Sequence, residues 1–198
     1  MHGFAYDAIH DEIVVTSPLA QAILTFRGAA NGEERPVRVI LGPHTQILGT
    51  AGGGLDKVSV DPANNVLIVN SGGAMLIFDR TASGNAKPKA VIRGEKSGVA
   101  AISTIQVYPE KGWVIGGCDR APGMAGSSPA ICAWSVKDNG DAAPRWKIPV
   151  QQLTGYSPSG IALDPTNKAV IMSCAGQRLR PPNGIMNAVI TFSWPEIF

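Results

Sequence analysis

Asn31-Gly32-Glu33-Glu34-Arg35-Pro36, Ser83-Gly84-Asn85-Ala86-Lys87-Pro88 and Asn139-Gly140-Asp141-Ala142-Ala143-Pro144 are three copies of one phrase in a chain of 198 residues. Their prolines stand 52 and 56 residues apart. Each copy follows an apolar run that ends near an aromatic residue, Phe26, Phe78 or Trp134. Glycine accepts positive φ, and proline fixes φ while giving up a donor, so the phrase reads as a turn between strands. A turn repeated at this period marks a chain built from stacked supersecondary units.

A second signal sets the phase of the units: Phe4-Ala5-Tyr6-Asp7, Val58-Ser59-Val60-Asp61-Pro62, Ile105-Gln106-Val107-Tyr108-Pro109 and Ile161-Ala162-Leu163-Asp164-Pro165. There are therefore four units, spanning approximately 2–53, 54–103, 104–158 and 159–198 of a single domain. Polar turns follow (His10-Asp11, Asn64-Asn65, Glu110-Lys111, Thr166-Asn167), then β-branched runs such as Ile13-Val14-Val15 and Val66-Leu67-Ile68-Val69. Two apolar runs joined in this way form a hairpin. A third strand ends on the aromatic column Phe26, Phe78, Trp134 and Phe192. In three units the Gly-to-Pro phrase leads into a fourth, as in Val37-Arg38-Val39-Ile40.

Four antiparallel strands repeated radially are the blade of a β-propeller. A β-sandwich has no reason to repeat one turn phrase at a fixed period. The expected fold is all-β, a propeller-like array of four four-stranded blades with the last one incomplete, and with little helix. No fourth strand for the last blade is evident after Phe192, and ring closure, which removes sheet edges, is not visible. Three readings stay open: completion by another chain, a three-stranded last blade, or part of a longer ring. Truncation or completion by a partner is favoured.

Phe78-Asp79-Arg80-Thr81-Ala82-Ser83-Gly84-Asn85-Ala86-Lys87-Pro88-Lys89-Ala90-Val91-Ile92-Arg93-Gly94, together with Val60-Asp61-Pro62, resembles the NHL-type propeller repeats of bacterial surface or secreted proteins. The resemblance covers nearly the whole chain. It implies a ring of more than four blades, commonly six or more, a binding or scaffolding role, and an extracellular or periplasmic location, although the chain carries no signal peptide. Related propellers include lactonases and lyases that use His, Glu, Asp or Asn around a channel metal. No such motif can be matched residue by residue in this sequence.

Charged residues make up 16% of the chain and the net charge is +2, which gives no bulk electrostatic case for nucleic acid. No apolar run approaches a membrane-spanning helix. Aromatic residues are 6%, too few for a broad base-stacking platform. There is no Gly-x-Ser-x-Gly elbow for a serine nucleophile. Gly52-Gly53-Gly54 precedes a strand, whereas a phosphate cradle opens a helix.

Function in a propeller is expected on the face where second-to-third-strand loops and blade-to-blade connections meet, because rigid scaffolds carry function on loops. The second-to-third-strand loops of units three and four are about nine residues longer than the others, beyond the hairpin norm. They run from Cys118 to Pro129 and from Cys174 to Asn187. Asp119, Arg120, Arg178 and Arg180 in these loops, with His44 nearby, are the ligand-binding candidates, since guanidinium groups pair with an anionic ligand. The bland alternative is loop solvation. His2 and His44 are the weak metal candidates, against a reading as a terminal and a solvated histidine. His10 falls on the opposite face. Asp7, Asp61 and Asp164 repeat before tight turns and should cap backbone amides there.

Cys118 and Cys174 occupy equivalent positions in adjacent blades, also held by Ser17 and Ser71. They read as a disulfide or thiolate site, or as two small residues ending inner strands, and the separation of neighbouring blades disfavours the bridge. Cys132 is expected in the core. No cofactor is expected, a channel metal ion being what the enzyme reading would need. The sequence thus favours a non-enzymatic propeller that binds a protein or glycan partner through its loop face, with a second copy as one way to complete the ring. The alternative is a lactonase- or lyase-like enzyme acting on an anionic small molecule.

Overall fold

The computed structural model describes residues 3–49, 55–99, 104–119, 129–176 and 187–198. Blade 1 contains β1 (Phe4–Asp7), β2 (Glu12–Ser17), β3 (Ala22–Arg27) and β4 (Arg38–Leu41). Blade 2 contains β5 (Val58–Asp61), β6 (Val66–Ser71), β7 (Ala74–Asp79) and β8 (Ala90–Ile92). Blade 3 contains β9 (Ile105–Tyr108), β10 (Trp113–Cys118), β11 (Ala130–Ser135) and β12 (Trp146–Ile148). Blade 4 contains β13 (Tyr156–Asp164), β14 (Ala169–Gly176) and β15 (Asn187–Ser193). Each blade is an antiparallel meander paired in chain order, four-stranded in blades 1 to 3 and three-stranded in blade 4 among the described residues.

The hairpin turns form for the expected reason. Asp7 Oδ1 accepts the amides of Ile9 and His10, Asp61 Oδ1 that of Asn64, and Asp164 Oδ1 that of Asn167. These carboxylates satisfy donors that a tight turn would otherwise leave unpaired. Blade 3 carries Tyr108 at that position, and its hydroxyl donates to Glu110 instead. His10 lies in the same turn, with Nδ1 2.8 Å from Asp7 Oδ2.

Side chains alternate across each strand, so every blade has two faces. Call face A the one that carries the aromatic column. In blade 2 it consists of Val58, Val60, Leu67, Val69, Leu76 and Phe78, all buried, packed on Ala5, Val14, Ile23 and Ile40 of blade 1. Face A of blade 3, centred on Val114 and Trp134, packs on Ile68, Met75 and Ile77 of blade 2. Face A of blade 4, with Val170, Met172 and Phe192, packs on Ile115, Ile131 and Ala133 of blade 3. The core is therefore a set of three inter-blade layers.

The repeated phrase does more than turn the chain. Gly84 of blade 2 donates its amide to Val39 O and accepts from Leu41 N, pairing with the outer strand of blade 1. Gly140 of blade 3 does the same to blade 2, through Val91 O and Arg93 N. Asn85 Oδ1 then accepts the amide of His44, and Asp141 Oδ1 that of Ser97. The phrase is an arm that fastens blades 2 and 3 each to the outer edge of the blade before it. Arg80 adds a charged tie from blade 2 to Glu12 of blade 1 at 2.6 Å, which Arg38 also contacts.

One short helix, α1 (Val150–Thr154), was not foreseen. Five residues give too little of a 3.6 period to be seen in sequence, and the helix replaces the glycine-started turn that leaves β4 and β8.

Candidate functional site

In an antiparallel meander the second and fourth strands end at the same side, so His44, after β4, and Asp119, after β10, both lie on the expected loop face. Arg120, Arg178, Arg180 and His2 lie outside the described residues, as do Gly52-Gly53-Gly54 and most of both long loops.

His44 sits in a 3₁₀ turn, Pro43–Thr45, started by Gly42 at φ 128 and ψ 169. Its amide is held by Asn85 Oδ1 at 2.8 Å, and its Nδ1 lies 3.2 Å from Asn85 Nδ2. The histidine therefore belongs to the seam between blades 1 and 2. Asp119 belongs to blades 2 and 3: its amide donates to Gly98 O, and its carboxylate pairs with Lys147 of β12. The two candidates occupy different seams, and no described contact joins them. Among the described residues no group of three His, Cys, Asp or Glu could hold a metal ion.

The cysteine pairing differs from the bridge considered above. Cys118 is bonded to Cys132, with Cα atoms 5.9 Å apart, and Cys174 is a free, buried thiol. Cys118 and Cys132 lie on neighbouring strands of one blade, two residues out of direct register, which places their Cα atoms inside the disulfide window. Cys174 lies in the next blade. Cys132 is fully buried, as expected of a core position, and the bond staples the base of the long loop between β10 and β11. Burial pushes the Cys174 thiol above its ordinary pKa.

Sequence reasoning did not foresee the open face of blade 1. Register aligns Phe4, Tyr6, Ile13, Val15, Leu24 and Phe26 with the six face A residues of blade 2. In blade 2 the first two positions, Val58 and Val60, are 8% and 7% exposed; in blade 1, Phe4 and Tyr6 are 72% and 56% exposed. A groove of about 310 Å³ runs along this face, floored by Phe4, Ile13, Val15 and Phe26 and rimmed by the Asn31-Gly32 arm. Gly32 has φ 58, close to the 67 and 70 of Gly84 and Gly140. The signal was present in the sequence as Phe4 and Tyr6, where the other units carry an aliphatic residue at the corresponding positions.

No family model and no curated protein sequence matches this chain. Solved structures do. The chain has the β-propeller fold. It superposes on a chain in the mitotic checkpoint complex with TM-score 0.57 and 12% identity, covering 87% of this chain and 45% of that one. It superposes on a protein of Bacteroides uniformis ATCC 8492, described as a candidate 6-phosphogluconolactonase, with TM-score 0.58 and 16% identity, covering 87% and 47%. The WD40 β-propeller domain of Doa1 gives TM-score 0.53 and 11% identity, covering 87% and 47%. The chain spans 40–47% of the length of the matched propellers. Likeness at this level of identity establishes the fold alone.

Proposed function

We propose that this chain is a binding propeller scaffold that takes a protein or glycan partner on its loop face. The observation that carries the reading is the build of that face: the turns that present His44 and Asp119 are fixed by contacts across the blade seams, and the Cys118–Cys132 bond holds the base of the β10–β11 loop. Rigid scaffolds carry their binding groups on such loops. The NHL-type character of the repeat, with the extracellular or periplasmic location it implies, belongs to this proposal as well. The Cys118–Cys132 bond supports it, because disulfides persist in oxidising compartments.

Photo-crosslinking tests the reading. Benzoylphenylalanine replaces Leu19, an exposed side chain in the β2–β3 turn on the loop face, in the protein expressed in its own cells, and in a control replaces Thr166, exposed in the β13–β14 turn on the opposite side. Irradiation is expected to give a discrete adduct from position 19 and none from position 166. Equal background from both positions would refute the assignment.

A further inference from the structure

Strand register aligns three positions in each of the seams between blades, at the end away from the loop face, and the chain fills them with a different chemistry every time. Glu12, Val66 and Trp113 are equivalent on the second strand, as are Arg38, Ala90 and Trp146 on the fourth. Arg80, Val136 and Trp194 stand two residues after the column aromatic of the following blade. Their amides donate to Asn65 O, Gly112 O and Lys168 O, which are equivalent in turn.

In the seam between blades 1 and 2, Arg80 Nη1 and Arg38 Nη2 both donate to Glu12 Oε2, at 2.6 and 2.5 Å, and Arg80 Nε lies 3.7 Å from the buried Asp7 carboxylate. Between blades 2 and 3, Val136, Val66 and Ala90 share one apolar cluster. Between blades 3 and 4, Trp194, Trp113 and Trp146 do the same, with Trp113 and Trp146 edge to face and ring centroids 4.7 Å apart. One set is ionic, one aliphatic and one aromatic.

The ionic set is an expensive filling. Its side chains are 10–19% exposed, and Arg38 Nε is buried with no acceptor among the described residues. Charges taken out of water in this way add little net stability, and apolar groups of similar volume often do as well or better. What the set supplies is discrimination. A guanidinium meeting Val66 and Ala90 would be buried unpaired, and an indole or a valine meeting Glu12 and Arg38 would cover charges that it cannot satisfy.

We infer that the three positions form a key and lock that assign each blade its neighbour. Arg80 fits the Glu12–Arg38 lock, Val136 the Val66–Ala90 lock and Trp194 the Trp113–Trp146 lock. Within one molecule the chain already fixes blade order. The device acts between molecules, where blades built on one repeat would otherwise dock on the wrong copy and exchange, a characteristic failure of repeat proteins.

Stepwise replacement of the ionic set tests this. Glu12→Val leaves two guanidinium groups in the seam without the acceptor they share, and Tm is expected to fall by about 6–20 °C. Adding Arg38→Ala and Arg80→Val installs the aliphatic set of the next seam and is expected to recover most of that fall. Glu12→Leu with Arg38→Met and Arg80→Met repeats the step with side chains closer in volume, should the first triple variant leave a cavity. If neither triple variant melts above Glu12→Val, the three positions do not act as a unit and the proposal is overturned.

The second readout is one that loss of an ordinary salt bridge would not move. In the aliphatic triple variant, Val136 of one copy finds a matching lock on blade 1 of another. Parent and triple variant are refolded from denaturant side by side over a range of chain concentrations, and the oligomeric fraction is read by light scattering after size exclusion. The triple variant is expected to give a larger oligomeric fraction than the parent, growing with concentration. Equal fractions at every concentration overturn the proposal, however well the triple variant melts.

Discussion

Replacing Gly42 by alanine should damage the seam between blades 1 and 2 in two separable ways. Gly42 stands at φ 128 and ψ 169, a region that essentially only glycine occupies, and forcing a Cβ there costs about 1–3 kcal/mol. That Cβ would also lie 2.6 Å from Asn85 Oδ1, the atom that accepts the His44 amide. The Asn85 side chain can swing away, but only by releasing the amide, and a lost cap of this kind costs about 1 kcal/mol. The single substitution should therefore cost about 2–4 kcal/mol, while Asn85→Ala alone costs about 1. In the double variant the cap is already gone, so only the backbone strain is added. The sum should again be about 2–4 kcal/mol, short of additivity by about 1. Thermal melts of the four proteins can read this, since 1 kcal/mol moves Tm by roughly 2–4 °C in a chain of this size. Independent sites add within about 0.3–0.5 kcal/mol, so the coupling is measurable. A strictly additive double variant would refute the shared contact, and a harmless Gly42→Ala would refute the strained turn.

Two further outcomes follow from the described geometry. Thiol titration of the unfolded, unreduced chain should find one free cysteine, Cys174, and three after reduction. Reduction should cost about 3 kcal/mol, because the bond closes a loop of 14 residues' separation, whereas an unchanged Tm would mean that the bond is not formed. Acid stability should depend on Asp164, whose carboxyl is held below its ordinary value first by the Asn167 side chain and then by the Asn167 amide. A depressed folded-state pKa contributes stability that is full above the unfolded value and lost as pH falls through the folded one. Asp164→Asn should then lower Tm at neutral pH and narrow its difference from the parent in acid, and a pH-independent difference would contradict this.

What could be read from the chain follows from range. The hairpins, the aspartate-capped turns and the aromatic column all depend on residues a few positions apart, where strand alternation and turn chemistry act directly. Phe26, Phe78, Trp134 and Phe192 are third-strand residues on one repeated face because a period of two leaves them no other place. The candidate site was less legible. His44 was marked as a loop histidine, yet its place is fixed by Asn85, 41 residues further on. Asp119 stands at the head of its loop, and its carboxylate pairs with Lys147 on the outer strand of its own blade.

The sequence by itself determined the repeat, its phase, and the strands and turns inside each blade, because those are settled by local conformational preference. Only the tertiary structure decided that the Gly-to-Pro phrase is a fastening arm, that Cys118 pairs with Cys132, and which faces stand open. Each of these is a contact between strands or blades, fixed by how sheets stack and register against one another. A residue's own neighbours in sequence carry no information about which blade will lie across from it.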